Sequence, residues 1–281
     1  MADEEPVLYE VRGTTAIITL NRPQYRNAQN SALLYALDDA FQRFAQDDDV
    51  RVAVLTGAGP HFSSGHDLGS PGVDYDVPYT RRSTWWDHTD KEGAERWMSH
   101  EMEMYLGMCR RWHDLPKPTI AAVRGGCIAG GLMLAWSCDL IVAADDAFFS
   151  DPVVALGCPG VEFFRHPWEL GPRQAKEFLF LGEAIDADRA HRLGMVNRVV
   201  TGDALLDTAL DMAERIGGQP AFGLALAKQA VNRCEEAMGQ RAGIDATFAL
   251  HQLSHAHNQV VSGQPILVST PRRTARPAGD E

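Results

Sequence analysis

Two glycine-rich turns are the stretches of this sequence whose residues could do chemistry. The first is LTGAGPHFSSGHDL at residues 55–68, and the second is RGGCIAGGLML at residues 124–134. Each follows an apolar run that predicts a buried strand, and turns of this kind present main-chain N–H groups without an internal acceptor. Two such turns facing one another across a crevice can hold one carbonyl oxygen and stabilise it as it becomes negative. A purely structural turn is the alternative interpretation of the first stretch.

Cofactor and metal chemistry fit the sequence less well. A dinucleotide-binding loop would need its third glycine where Phe62 stands. His61, His66 and Asp67 lack a nearby glutamate that could activate a metal-bound water. The stretch HQLSH, His251–His255, has the spacing of a zinc-binding helix, but a glutamine replaces the essential acid, which predicts a surface or packing pair. We therefore expect no metal site and no nicotinamide cofactor.

The composition indicates a globular, acidic chain. Of its 281 residues 45% are hydrophobic, which is ample for a large core. The net charge of −12 argues against nucleic-acid binding, although it permits a local basic pocket. No apolar run approaches a membrane span, and the acidic N-terminus MADEEP is unlike a targeting peptide, so we expect a cytoplasmic protein. Five scattered cysteines are typical of reduced, buried thiols.

The elements that must position the two turns alternate between strands and helices. Residues 7–23 predict a hairpin around Gly13 that ends at Pro23. Residues 31–45 carry apolar side chains at helical spacing, and VRVAVLTG, TIAAVRGG and DLIVAAD predict buried strands. From Gly171 onward the pattern is helical. This alternation predicts an α/β fold.

Residues 69–112 interrupt the alternation. They lack clear periodicity until about Glu95, and they contain four of the six tryptophans, namely Trp85, Trp86, Trp97 and Trp112. A long aromatic-rich connection in a compact domain is usually a lid or a binding loop. The tryptophans are therefore either the core of a mobile layer or the wall of a ligand pocket.

The quoted turns belong to a longer set of motifs that resembles a known family. The stretches ITLNRPQYRNAQN, VLTGAGPHFSSGHDL, KPTIAAVRGGCIAGGLMLAWSCDLIVAADDAFF, LGEAIDADRAHRLGMVNRVV and ALAKQAVN stand in the order and spacing of the crotonase superfamily, the enoyl-CoA hydratase/isomerase fold. The resemblance covers nearly the whole chain. It implies a spiral of ββα units over residues 1–200, with an extended acyl-pocket region at about 69–112. It also implies a helical trimerisation region at 201–270, a loose tail at 271–281, and a homotrimer or homohexamer.

The resemblance further implies an acyl-CoA thioester as substrate, with no permanently bound cofactor. The two oxyanion donors of the family map to the main-chain N–H groups of His66 and Gly130. Arg26 is placed to meet a phosphate of coenzyme A, and Lys228 lies where a C-terminal helix often reaches the nucleotide end. The other residues implied in substrate or coenzyme A binding are Asn27, Ala28, Ser64, Gly65, Asp67, Leu68, Gly131, Met133 and Val153.

The sequence departs from the family where hydratases carry two catalytic glutamates. Met133 and Val153 occupy those positions, and neither side chain can transfer a proton at neutral pH. Three ionisable residues are candidate replacements: Glu162, Asp151 and His66. The alternatives are a solvated loop charge for Glu162, a cap or turn role for Asp151, and packing or a structural hydrogen bond for His66.

These observations predict an acyl-CoA enzyme of lipid metabolism that stabilises a thioester oxyanion or enolate. A lyase reaction is the first expectation, and the replaced glutamates leave hydration, isomerisation, hydrolysis and C–C cleavage open. The alternative is a non-catalytic acyl-CoA binding or carrier protein on the same fold, because an apolar pocket floor at Met133 and Val153 suits an acyl chain.

Overall fold

The computed structural model describes residues 5–71 and 73–267, so the tail predicted at 271–281 lies outside the described residues. The strands are β1 (Val7–Arg12), β2 (Thr15–Leu20), β3 (Val52–Gly57), β4 (Thr119–Val123), β5 (Gly126–Ile128), β6 (Leu140–Ala144), β7 (Phe148–Ser150), β8 (Ile185–Asp186) and β9 (Arg198–Val200). The helices are α1 (Ser31–Gln46), α2 (Gly93–Glu101), α3 (Gly107–His113), α4 (Gly130–Trp136), α5 (His166–Leu170), α6 (Pro172–Leu181), α7 (Ala187–Arg192), α8 (Leu205–Gly217), α9 (Ala221–Ala237) and α10 (Gln240–Ser262). The predicted α/β class is confirmed.

Six strands form the main sheet, in the order β1-β2-β3-β4-β6-β9. β1 and β2 are the predicted antiparallel hairpin, which turns at Gly13 with a φ of 58°. From β2 to β9 the strands run parallel. The short strands β5, β7 and β8 form a second sheet. Because β5 follows β4 and β7 follows β6, the chain steps from one sheet to the other, as a spiral of ββα units requires.

Both faces of the central strands β3, β4 and β6 are buried, which explains why these strands are nearly continuous apolar runs. On one face, α8 packs through Leu205, Ala209 and Ala213 against side chains of β3, β4 and β6. The opposite face belongs to the larger core, to which α1 contributes Leu37 and Phe41. α8 lies beyond residue 200, so the first helix of the C-terminal region covers the sheet of the core.

The sheet brings the two glycine-rich turns together. β3 and β4 are parallel neighbours, so the turns that follow them leave the sheet at the same edge. A bridge joins Ser63 in the first turn to Cys127 of β5, and a second bridge joins Gln29 to His66. The first turn is therefore held between β5 and the segment that leads into α1.

Residues 69–71 and 73–112 form a layer of loops that ends in α2, a π-helical turn at Met102–Leu106, and α3. Glu103 in the π-helical turn anchors the loops, because its carboxylate accepts the main-chain N–H groups of Arg82 and Ser83 and the hydroxyl of Tyr35. α10 packs against α2. The layer is thus fixed both to α1 and to the C-terminal helix.

Candidate active site

The two N–H groups expected to bind a thioester oxygen lie on turns that touch. A Cβ atom at Gly65 would come within 3.0 Å of the Gly130 nitrogen, and a Cβ atom at Gly130 would lie 2.7 Å from the His66 ring. Neither the His66 N–H nor the Gly130 N–H has an acceptor within residues 5–71 and 73–267. Two unpaired donors on adjoining turns can bind one oxygen atom.

Ala129 holds the second turn in a strained conformation. Its φ is 47°, in the left-handed region that a non-glycine residue adopts at a cost of about 1–3 kcal/mol. The Ala129 N–H donates to the carbonyl of Ser150 at 2.8 Å, and this bond to β7 helps to hold the conformation. The strained residue comes directly before Gly130 and so sets the direction of the Gly130 N–H.

Asn27 fixes the first turn from the other side. Its buried amide donates to the carbonyls of Ala58, His61 and Phe62 at 2.9–3.1 Å, while its side-chain oxygen accepts the N–H of Arg22. These bonds occupy the side chain fully. Asn27 therefore shapes the turn that was predicted to cradle coenzyme A.

The other predicted residues around the first turn differ in exposure. Arg26 and Leu68 are exposed, whereas Ala28 and Asp67 are buried. Asp67 forms an ion pair with Arg22, in which Nη1 lies 3.0 Å from Oδ2. In this arrangement the Arg26 side chain is exposed, whereas the Asp67 carboxylate pairs with Arg22 within the protein.

Three further predicted residues lie near the backbone of the turns or on α9. The N–H of Ser64 donates to the carbonyl of Arg26. A Cβ atom at Gly131 would lie 2.6 Å from the carbonyl oxygen of Ser63, so only glycine allows the turns to approach. Lys228 is buried, and its Nζ lies 2.9 Å from Asp139 Oδ2.

Met133 and Val153, which replace the two expected glutamates, are both buried. Met133 is part of the main core on α4. No proton can be exchanged at either position, so any acid–base group must come from elsewhere.

His66 and Glu162 form a pair beside the oxyanion turns. His66 Nε2 lies 3.1 Å from Glu162 Oε2, and the imidazole stacks on the ring of Tyr105 at a centroid distance of 3.6 Å. Burial alone would raise the pKa of Glu162, but the positive charges that His66 and His251 carry when protonated, together with the hydrogen bond from His66, lower it to about 2. An ionised Glu162 can only accept, so Nε2 carries the proton of this bond. The Nδ1 atom of His66 is buried and has no partner among the described residues.

A second set of charged side chains continues from Glu162. His251 Nε2 lies 3.5 Å from Glu162 Oε1 and 3.7 Å from Glu101 Oε2. His255 Nε2 donates to Glu101 Oε1 at 2.7 Å. Burial opposes the charge of His255, but hydrogen bonds to Cys158 and Glu101 and the charge of Glu101 raise its pKa to about 11. α2, α10 and the segment around Glu162 therefore meet in one buried ionic cluster.

Asp151, the third candidate replacement, lies in a different environment. Its Oδ2 atom is 2.8 Å from His166 Nε2, and it also accepts the N–H of Val161. Both side chains of the pair are fully buried. The structure thus brings Glu162, and not Asp151, into contact with His66.

Two groups of potential metal ligands occur in the part of the chain that the structure describes. One contains Glu101, Glu162 and His251, and the other contains Cys158, His251 and His255; the ligand atoms of each lie within 4.8 Å of one another. Imidazolium groups can balance the two carboxylates without a metal. We interpret the cluster as a network of ion pairs.

Three features of this site were not predicted from the sequence: Glu101, Tyr105 and the role of HQLSH. His251 and His255 are buried and face carboxylates, and their rings pack edge to face at 4.6 Å. The motif was visible as two histidines one helical turn apart. Its carboxylate partners lie far away in sequence, on α2 and beside Glu162, which no local pattern could show.

Within residues 5–71 and 73–267, none of the helices combines the length with the apolar composition that a membrane span requires. The five cysteines are free thiols, four of them buried.

Comparison with known proteins places this geometry in context. A family model described as enoyl-CoA hydratase/isomerase matches residues 10–264. The crystal structure of a probable enoyl-CoA hydratase from Mycobacterium thermoresistibile is 46% identical, covers 94% of this chain and 100% of that chain, and superposes with a TM-score of 0.85. A probable enoyl-CoA hydratase from Mycobacterium smegmatis is also 46% identical, with a TM-score of 0.84 and coverage of 93% and 99%. The 1,2-epoxyphenylacetyl-CoA isomerase of Escherichia coli is 34% identical, with coverage of 82% of this chain and 83% of that protein. The crotonase-type fold expected from the sequence is confirmed.

Proposed function

Because the chain belongs to the enoyl-CoA hydratase/isomerase family, we propose that it forms an acyl-CoA enolate between the N–H groups of His66 and Gly130. The thioester of coenzyme A is the substrate, and no further cofactor takes part. Hydrogen-bond donors that are already oriented toward the developing negative charge lower the activation barrier, because they do not reorganise during the reaction. Exposed Arg26 contacts a phosphate of coenzyme A, and Lys228 lies toward the nucleotide end.

The pairing of His66 with Glu162 is the observation that carries the proposal. Nε2 of His66 is turned to the carboxylate, which leaves the unpartnered Nδ1 next to Gly130 as the nitrogen that exchanges protons. An imidazole with a carboxylate behind it and an open nitrogen in front is suited to general acid–base work. It takes over the role that Met133 and Val153 cannot perform.

Hydration, a lyase reaction, is the leading form of this chemistry. Water adds its oxygen to Cβ of a trans-2-enoyl thioester while its proton passes to His66 Nδ1. The electron pair of the double bond moves into the enolate, whose oxygen lies between the two N–H groups. His66 then returns the proton to Cα, so that one imidazole serves both halves of the addition.

Isomerisation is the second form, and it needs the same groups. His66 removes a proton from one carbon of a 3-enoyl thioester and returns it to another through the same enolate. One relative, named 1,2-epoxyphenylacetyl-CoA isomerase, also isomerises an acyl-CoA, although its named substrate is an epoxide. Hydrolysis and C–C cleavage would also pass through an oxyanion held by the two N–H groups. Their products distinguish them from hydration and isomerisation.

Exchange of the α-proton tests enolate formation before the reaction is known. The purified protein is incubated in D₂O with butanoyl-CoA, and deuterium at Cα is followed by NMR. We expect exchange that requires His66, together with turnover of at least one thioester in a panel of 2-enoyl, 3-enoyl and saturated acyl-CoAs. If the protein binds coenzyme A but shows neither exchange nor turnover, the proposal that it is an enzyme is contradicted.

That negative result would support a non-catalytic acyl-CoA binding protein instead. The burial of Met133 and Val153 is the observation that favours this second candidate. It predicts that apolar substitutions at His66 and Glu162 leave acyl-CoA affinity unchanged.

We also propose that residues 69–112 line the acyl pocket. Trp85 and Trp86 pack together at a ring distance of 4.8 Å, and Trp97 lies 6.3 Å from the ring of His255. A crystal structure with a bound acyl-CoA tests this role. The proposal fails if none of these three tryptophans approaches the acyl chain.

A homotrimer or a pair of trimers in the cytoplasm is the proposed state of the protein. It is supported by large apolar side chains that the single chain leaves exposed on its last two helices, namely Phe222, Leu226, Val231, Leu250, Leu253, Val260 and Val261. Light scattering coupled to gel filtration distinguishes a monomer, a trimer and a hexamer.

A further inference from the structure

His251 is a buried imidazole that the proposed reaction does not use. It lies on α10, one helical turn before His255, and its side chain faces the same cluster of carboxylates. Its Nδ1 atom lies 2.8 Å from the carbonyl oxygen of Gly160. A carbonyl can only accept a hydrogen bond, so Nδ1 carries a proton.

The protonation of Nδ1 decides what Nε2 must do. Nε2 lies between Glu162 Oε1 at 3.5 Å and Glu101 Oε2 at 3.7 Å. A bare lone pair at this position would face two carboxylates and be repelled by both, whereas an N–H bond would be attracted by both. The geometry therefore favours a second proton on the ring.

The charge balance of the cluster leads to the same result. His255 donates from Nδ1 to the carbonyl of Pro265 and from Nε2 to Glu101, so both its nitrogens are protonated and it neutralises Glu101. Glu162 then needs a cation of its own, because a buried charge without a partner is costly. If His66 were that cation permanently, it could not accept a proton during the reaction.

We infer that His251 is a positioning residue: as an imidazolium between Glu101 and Glu162, it keeps Glu162 ionised and turned toward His66. His66 is then free to gain and lose a proton without leaving Glu162 unbalanced. α10 thereby acts on the reaction without touching the substrate. Only the kinetic effects expected from this role rest on the proposed function; the protonation of His251 does not.

The other ionisable groups facing the cluster do not supply the missing charge. They include the thiols of Cys109 and Cys158, which cannot become cations, the phenols of Tyr75 and Tyr105, and the imidazole of His100. Burial raises the pKa of both phenols and lowers the pKa of His100, so these three groups are uncharged near neutral pH. The amide of Gln252 donates to Glu101 and carries no charge.

NMR of the intact protein tests the inference without any substrate. With ¹⁵N-labelled histidine, we expect both nitrogens of His251 to be protonated at neutral pH. With ¹³C-labelled glutamate, we expect the Glu162 carboxyl of the wild type to stay ionised at every pH above about 4. In His251→Gln we expect the same carboxyl to gain its proton at a pH above about 4. An unprotonated Nε2 in the wild type, or an unchanged Glu162 titration in the variant, would overturn the inference.

Kinetics and a matched control complete the test. His251→Gln should lower kcat/KM about 10- to 100-fold, the size of loss seen when the hydrogen-bond partners of metal-binding histidines are removed. It should also move the acid limb of the pH–rate profile to higher pH. His257→Gln, an exposed histidine on the same helix, should change neither. In a double-mutant cycle, His251→Gln should add little to Glu162→Gln, because it acts through that residue.

Metal analysis separates the inference from its competitor. A stoichiometric divalent metal in the purified protein, removed by EDTA together with the NMR pattern of His251, would replace the imidazolium with a metal and overturn the proposal. Protein without metal that shows a doubly protonated His251 supports it. The wild-type measurement decides this point even if His251→Gln fails to fold.

Discussion

The molecule contains two histidine–carboxylate pairs with similar contacts and different surroundings. His66 pairs with Glu162 at 3.1 Å, and His166 pairs with Asp151 at 2.8 Å. The second pair is fully buried, and the His166 ring packs against Trp136 and other aromatic rings. The first pair is slightly exposed, with 14% of the His66 side chain accessible.

A histidine–carboxylate pair does not by itself define an active site. His66 differs because it lies beside two unpaired main-chain N–H groups and because its own Nδ1 has no partner among the described residues. His166 also has an unpartnered Nδ1, but its side chain is fully buried and its ring packs against Trp136 and Phe164. We therefore expect chemistry at the first pair and stability from the second.

Replacing His66 should have the largest effect on activity. His66→Gln removes the proton-exchanging Nδ1, and a positioned acid–base group contributes about 10²–10⁴-fold to a rate. We expect a loss of this size in α-proton exchange, measured by NMR in D₂O, with acyl-CoA affinity retained. The corresponding His166→Gln should keep most of the exchange rate per folded molecule. Equal losses in the two variants would remove the distinction between the pairs.

Gly130→Ala tests the donors that only the first pair possesses. The added methyl group would lie 2.7–2.9 Å from the His66 ring and would displace either the ring or the turn. Loss of one oxyanion donor typically costs about 10²–10³-fold. We expect that loss in exchange with a largely unchanged circular dichroism spectrum. An exchange rate equal to that of the wild type would mean that the close packing of His66 on the Gly130 turn is not needed to hold the thioester oxygen.

Features that depend on local sequence could be predicted, whereas contacts between distant residues could not. The hairpin at Gly13, helix α1 and the buried strands could be predicted, because periodicity and glycine positions lie within one stretch of sequence. The turns of His66 and Gly130 could be placed through the family motifs. Glu162 and Asp151 could be named but not ranked, because their partners lie on other elements.

The network behind Glu162 could not be predicted for a physical reason. Glu101 and His251 are 150 residues apart, and only the packing of α10 on α2 brings them together. Tyr105 reaches His66 from a π-helical turn, an irregularity that the sequence does not announce. Buried ionic clusters depend on tertiary contacts far more than on local pattern.

Asp151→Ala should show the stabilising role of the second pair. The substitution leaves His166 and the N–H of Val161 without their buried acceptor. Removing one partner of a buried pair typically costs about 3–5 kcal/mol. We expect that decrease in the free energy of unfolding, measured with urea, and little change in exchange per folded molecule. Asp151→Asn, which keeps an acceptor oxygen, should cost less.

The smallest expected effect is the change with pH in the contribution that Glu162 of the first pair makes to stability. The pKa of Glu162 is lowered to about 2 from an ordinary value of 4.5, so its ionised form stabilises the fold above pH 4.5. That contribution, at most about 3 kcal/mol from the size of the shift, is lost as the pH falls from 4.5 toward 2. Urea unfolding of the wild type and Glu162→Gln at several pH values should therefore show a difference that is largest above pH 4.5 and shrinks in acid. A difference that stays constant with pH would mean that Glu162 contributes through packing, and that the two pairs are more alike than their surroundings indicate.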